Sequence, residues 1–315
     1  MRCVLCITLC FAVMLTLCSA CGNKDANPVP DASLEESDSG YAGFRNTILY
    51  YGSDEGFVVP VMRRIPWEEG IGKAALQYLV DDAENRSAIA PYGLRALIPE
   101  GTNFSLRIGE DRHATVDLSS LPSDTEDINS VSAAIVNTLT EFESIDTVSI
   151  SVNGEPLGDI AAQSSLSEPL SAMALNVPDG AVAVSTGQSY RMVLYYPNAS
   201  ASLNVPVTRY ESSQPNFLKA VEALIEGKEN ESLMNCFPAG TTVYRAEIEN
   251  DAAVVDLSSD YLQVKETEGL LQAGYDTLFL TAQCFAPIDT LRLTVNGETI
   301  EDMPMLAPLY ANEIE

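Results

Sequence analysis

The sequence predicts an α+β fold: two tandem copies of a small domain, each with helices packed on one face of a mixed β-sheet. Three observations predict it: a set of motifs that returns in the same order, apolar residues recurring at helical spacing, and short alternating β-branched runs. Leu49-Tyr50-Tyr51 returns as Leu194-Tyr195-Tyr196, and VPVMR at 59–63 as VPVTR at 205–209. KAALQYL from Lys73 is echoed by KAVEALI from Lys219, and IPEGT at 98–102 by FPAGT at 237–241. ATVDLSS at 114–120 matches AVVDLSS at 253–259, and IDTVSISVNGE at 145–155 matches IDTLRLTVNGE at 288–298. The spacing places seven extra residues of copy one between its first helix and IPEGT, and four extra residues of copy two between DLSS and its last strand. Length changes of this kind belong in connections, so both are expected to be loops.

In copy one the first elements are strands at about 46–51 and 57–63. A helix follows at about 68–81, supported in copy two by Phe217, Val221, Leu224 and Ile225 on one face. Strands at about 103–109 and 113–118 lead to a helix at about 126–142, whose stripe is Ile128, Val131, Ile135, Leu139 and Phe142. The alternation in TVSISV and TLRLTV marks a final strand at about 146–152 with one buried face. Pro99 and Gly101 place a β-turn, with Pro at its second position and Gly at its fourth. Asn153-Gly154 and Asn296-Gly297 predict two-residue type I′ hairpins. Asp117 and Asp256, each before Leu-Ser-Ser, are expected to cap the backbone turn that follows their strand.

The chain begins with a separate address. Residues 1–20 hold Arg2, an apolar run from Val4 to Leu17 and a small-residue end, the plan of a signal peptide. Ser19-Ala20-Cys21-Gly22 resembles the bacterial lipobox, which implies a lipid on Cys21, although Cys18 stands where that signal usually has Leu. An ordinary secretory signal or an uncleaved anchor is the alternative. Residues 21–45 then read as a lipid-anchored disordered tether, rich in Asp, Ser, Ala, Gly and Pro. The domains are expected at 46–158 and 189–303, with a linker at 159–188 and a C-terminal tail at 304–315.

Lys+Arg 17 against Asp+Glu 45, a net charge of −28, disfavours a phosphate-backbone binder, so no nucleic-acid partner is expected. Removing the signal takes Arg2 with it and leaves a net −29. Of seven cysteines, four lie in the signal and Cys21 is the anchor. Cys236 and Cys284 read as two buried free thiols, with a single bridge as the alternative. No metal-ligand spacing occurs, GIGK at 70–73 lacks the earlier glycine of a phosphate loop, and His113 is the only histidine. No catalytic group, metal or cofactor is therefore expected. The candidates for ligand or partner binding are Tyr50, Tyr51, Tyr195 and Tyr196, of which one per pair should face the core, and Lys73 and Lys219 at equivalent helix starts.

The ordered set of Leu-Tyr-Tyr, VPV with Arg, Lys-Ala, Pro-x-Gly-Thr, A-x-VDLSS and VNGE resembles the GerM domain family of sporulation and spore germination proteins, over about 46–158 and 190–302. The resemblance implies an exported, membrane-attached protein of Gram-positive bacteria without enzymatic activity. It also implies likeness to ring-building modules that assemble through domain edges. Envelope or sporulation proteins and further copies of the chain are then the expected partners. The expected location is the outer face of the cytoplasmic membrane. A module that binds a peptidoglycan fragment or another small envelope ligand through exposed tyrosines is the alternative.

Overall fold

The computed structural model describes residues 43–68, 70–122, 124–161, 163–178, 189–228, 230–300 and 306–314. Cys21, the signal, most of the tether and residues 179–188 of the linker lie outside them. In copy one, β1 (Phe44–Ser53) and β2 (Val58–Pro66) form a hairpin, followed by α1 (Ile71–Gln77), α2 (Ala83–Ile89) and β3 (Leu94–Arg95). Next come β4 (Phe104–Ile108), β5 (His113–Leu118), α3 (Thr125–Thr140), β6 (Thr147–Val152), β7 (Glu155–Pro156) and α4 (Leu157–Ile160). Copy two repeats the plan with β8 (Tyr190–Pro197), β9 (Asn204–Glu211), α5 (Phe217–Glu226), β10 (Val243–Glu249) and β11 (Ala252–Leu257). It continues with α6 (Leu270–Gln283), β12 (Thr290–Val295) and β13 (Glu298–Thr299), and β14 (Glu313–Ile314) ends the chain.

The α+β class holds, with one refinement: each copy has two sheets. The order β4-β5-β6-β7 is a mixed sheet whose parallel pair, β5 and β6, is joined through α3, and β10-β11-β12-β13 repeats it through α6. The hairpins β1–β2 and β8–β9 stay apart from these sheets. A helix takes the place of a neighbouring strand. The Tyr50 amide donates to Thr138 Oγ1 on α3 at 3.0 Å, and the Tyr195 amide to Thr281 Oγ1 on α6 at 3.0 Å. Both threonines are fully buried, so a hydroxyl satisfies a main-chain donor that water cannot reach.

The long helices bury the stripes read from sequence: Ile128, Val131, Ile135, Leu139 and Phe142 are all buried, as are Phe217, Val221 and Leu224. The first helix of copy one is shorter than expected, because Gly70, with φ 88°, starts it late and a turn follows Gln77. The extra residues of copy one are not a loop but α2 and β3, and those of copy two form a 3-10 helix at Ser259–Glu266. Asp82 caps α2 by accepting from the Asn85 amide at 2.8 Å, and Asn85 Nδ2 donates to the Gln77 and Val80 carbonyls, both at 2.8 Å. One buried asparagine thus closes the end of α1 and ties the insertion down.

Residues 40–315 form one compact unit, and buried side chains from both copies belong to a single apolar cluster. The described part of the linker is packed: Leu166 and Leu175 are buried, and Leu170 exchanges both main-chain hydrogen bonds with Val148 at 2.8 Å.

Candidate functional site: the junction between the copies

Two asparagines outside the repeated motifs hold the copies together. Asn176 Oδ1 accepts from the Val58 amide at 2.8 Å, while its Nδ2 donates to the Val58 carbonyl at 2.8 Å and the Pro206 carbonyl at 2.7 Å. Asn312 does the reverse: Oδ1 accepts from the Asn204 amide at 2.7 Å, and Nδ2 donates to the Asn204 carbonyl at 2.9 Å and the Pro60 carbonyl at 2.8 Å. Val58 and Asn204 occupy equivalent places in the repeat, as do Pro60 and Pro206. The contacts are therefore reciprocal. Neighbouring main chain extends each clamp, since the Thr208 amide donates to Leu175 O at 2.9 Å and the Met62 amide to Asn312 O at 2.8 Å. β14 then runs parallel to β2, with Glu313 beside Met62 and Ile314 beside Arg63. The main-chain edges of β2 and β9 are consumed inside the molecule.

The tyrosine pairs divide as alternation demands, one in and one out. Tyr51 is fully buried and accepts from Arg63 Nη1 at 3.1 Å, with the Arg63 guanidinium 4.7 Å from the Tyr78 ring centre. Tyr196 is buried too, and Arg209 Nη2 reaches its hydroxyl at 3.4 Å and the Gly227 carbonyl at 3.0 Å. The arginine that ends each VPV motif is thus the partner of the second tyrosine, which removes Tyr51 and Tyr196 from the accessible surface. Tyr50 and Tyr195 are half-buried and line one cavity of about 370 Å³ together with Glu141, Cys284 and Tyr310. The Tyr50 hydroxyl donates to Glu141 Oε1 at 2.7 Å; desolvation raises both groups above their usual ranges.

The thiols are not bridged. Cys236 is buried, as expected, and Thr277 Oγ1 lies 3.9 Å from its sulfur. Cys284, in contrast, is an exposed residue at the end of α6, although its sulfur turns back to the Leu280 carbonyl at 3.5 Å. Desolvation pushes each thiol up to about 12, so neither is a thiolate nucleophile near neutrality.

The remaining motifs are architectural. Asp117 Oδ1 accepts from Ser151 Oγ at 2.6 Å and the Gly154 amide at 2.8 Å, and Asp256 Oδ1 from Thr294 Oγ1 at 2.7 Å and the Gly297 amide at 2.8 Å. These carboxylates cap the Asn-Gly turn of the adjacent parallel strand, not the turn after their own strand. The two hydrogen bonds, Ser151 first, lower the Asp117 carboxyl below the usual range. The following serines work backwards: Ser119 Oγ accepts from the Asn103 amide at 2.9 Å, and Ser258 Oγ from the Thr242 amide at 3.0 Å. Asn153 and Gly154 have φ of 50° and 83°, and Asn296 and Gly297 53° and 78°, as type I′ turns require. The Pro-x-Gly-Thr turn falls one residue later than expected. The Thr102 amide donates to Pro99 O at 3.1 Å, which puts Pro99 first and Gly101, with φ 77°, third.

Lys73 is exposed on α1, whereas Lys219 pairs with Glu211. His113 Nδ1 lies 2.9 Å from Thr147 Oγ1 on the adjoining strand. Among the described residues no group of His, Cys, Asp and Glu is placed to hold a metal ion. A cleft of about 750 Å³ lies between the β8–β9 turn, the start of α6 and segment 310–314. Asp276 lines it, accepts from Gln272 Nε2 at 2.6 Å and is pushed up by desolvation to about 6.

The profile of Germane, described as sporulation and spore germination, matches residues 48–158 and 193–301, one match on each copy. The chain belongs to the Germane family. Its sequence is 25% identical over 293 residues to the spore germination protein GerM of Bacillus subtilis (strain 168), covering 88% of this chain and 80% of that protein. Its fold is similar to the tandem GerMN domains of the sporulation protein GerM from Bacillus subtilis, with a TM-score of 0.65 and 22% identity. That similarity covers 86% of this chain and 99% of the solved one. The tandem Germane arrangement thus extends to the solved fold.

Proposed function

We propose that this Germane protein is an exported lipoprotein, held through Cys21 at the outer face of the cytoplasmic membrane. There it acts without catalysis as an assembly factor for sporulation, germination or envelope complexes. The observation that carries this reading is the contrast between inner and outer sheet edges. β2 and β9 are closed by the clamps and β14, while among the described residues no strand pairs with the outer edge of β4 or β10. Those outer edges carry Ile108, 47% exposed, and Tyr244, 60% exposed. Unpaired main-chain groups beside exposed apolar side chains suit strand-on-strand association. The net charge of −28 favours a basic partner and makes the association sensitive to salt. The sporulation setting comes from the family and from the name of the Bacillus subtilis relative. A wall-fragment binder would need an open tyrosine platform, and the paired tyrosines sit in the core and at the junction.

Photo-crosslinkers at Ile108 and Tyr244 test the reading in sporulating cells. Specific protein adducts that weaken as salt rises in lysates are the expected result. Capture no better than with a crosslinker at buried Val61 would remove the assembly role.

A further inference from the structure

The open end of the first hairpin gathers side chains that the junction and the family motifs do not use. Phe44 is 47% exposed and Trp67 62% exposed, at the first residue of β1 and just beyond the end of β2. The Trp67 amide donates to Gly43 O at 2.8 Å, and Phe44 faces Pro66 in the ladder, so the two aromatics end the same hairpin. Exposed arginines accompany them. The Arg64 guanidinium lies 5.7 Å from the Phe44 ring centre, and that of Arg45 lies 5.6 Å from the Phe142 ring centre. The two arginines lie on neighbouring strands of the hairpin, with exposed Glu68 directly after Trp67. The opposite end of the hairpin carries Asp54 and Glu55, with exposed Arg95 paired opposite Gly52. Acids are present nearby as well, since Glu68, Asp82 and Glu84 share the groove on the α1 side of Pro66.

We infer that Phe44, Arg45, Arg64 and Trp67 form a seat on the phospholipid headgroup layer of the membrane that holds the anchor. The inference rests on the Cys21 anchor reading and goes beyond it, because an anchor alone leaves the folded unit free to tumble. Two arguments select lipid. Trp and Phe beside arginine stems match the headgroup boundary, where an amphipathic ring and a phosphate-binding cation are both satisfied. Residues 22–43 link this strand end to Cys21, so along the chain it is the end of the described fold next to the anchor.

Trp67 is the only tryptophan of the chain, so it reports its own position. The chain from residue 22 onward, with an N-terminal hexahistidine tag, is held on vesicles of mixed zwitterionic and anionic phospholipid containing a nickel-chelating lipid. This preserves the tether whether or not Cys21 is lipidated in cells. The expected result is a blue shift of Trp67 emission and quenching by lipids brominated near the headgroup. Arg45→Ser and Arg64→Ser should each weaken the quenched state about five-fold, and Phe44→Ser should reduce it while far-UV circular dichroism stays unchanged. Emission identical to that of the soluble protein, without quenching, would overturn the inference. So would quenching indifferent to all three substitutions. Mass spectrometry of the natural N-terminus tests the anchor separately: an unlipidated Cys21 sinks that reading and leaves the vesicle result standing.

Discussion

Copy one and copy two share the reciprocal hydrogen bonds that close the junction and differ around them. Thr138 and Thr281 serve the same main-chain donor, Asn176 and Asn312 exchange the same contacts in reverse, and both Asn-Gly turns hang from an aspartate. Away from that set the copies diverge. Glu141 in copy one corresponds to Cys284 in copy two, Ala133 to Asp276, and each copy has its own insertion. The difference teaches that the duplicated unit is kept as half of a pair: the reciprocal edge contacts stay constant, while the cavity and cleft walls change.

The asparagine clamps offer the strongest way to break this comparison. Asn312→Ala and Asn176→Ala each remove three hydrogen bonds to main chain at the junction. Each should cost about 3 kcal/mol in denaturant unfolding, because stranded main-chain groups carry the desolvation penalty. Similar losses at the two sites support reciprocity, and a neutral variant would break it.

The tyrosine–arginine pairs sharpen the comparison next. Tyr51→Phe strands a well-buried Arg63, whereas Arg209 keeps its bond to Gly227 O when Tyr196→Phe removes the hydroxyl. Losses of about 1.5 and about 0.5 kcal/mol are expected, measured by the same unfolding curves. Equal costs would mean that the two arginines are equivalent after all.

The last difference concerns Asp276, which copy one replaces by Ala133. Its folded pKa is raised from 3.8 to about 6. The folded state therefore holds the proton more tightly, and stability present at pH below the unfolded value is lost as pH rises through about 6. Partial exposure limits the change to about 1 kcal/mol. Asp276→Asn should flatten the stability profile between about pH 4 and about pH 6, and an unchanged slope would place the titration elsewhere.

The duplication, the helix stripes and the Asn-Gly turns were legible because each is a local pattern repeated at a recognisable spacing. The two-sheet arrangement was not, since the alternation of β1 shows which face is buried and says nothing of what satisfies its edge. Asp117 was misread for a related reason. Its partners Ser151 and Gly154 lie on a parallel strand beyond a whole helix, and sequence spacing carries no mark of that neighbour. Asn176 and Asn312 were the largest omission. Each lies just beyond its copy, as Leu-Asn-Val and Ala-Asn-Glu, in segments whose composition reads as linker and tail. Only the reciprocal contacts give those short matches meaning. Lys219 was drawn into an ion pair with Glu211 by the β9–α5 connection, a local contact that the helix-start argument did not contain.

The central claim is that the inner edges of the two copies are closed and the pair moves as one body. Native-state hydrogen exchange of the Val58, Met62, Asn204 and Thr208 amides tests it directly, because these are the donors held by the clamps and their flanking main chain. Exchange as slow as that of the buried Tyr50 and Tyr195 amides, through global unfolding, is the predicted result. Exchange at the rate of exposed loops, with the domain cores still protected, would show two copies that merely touch.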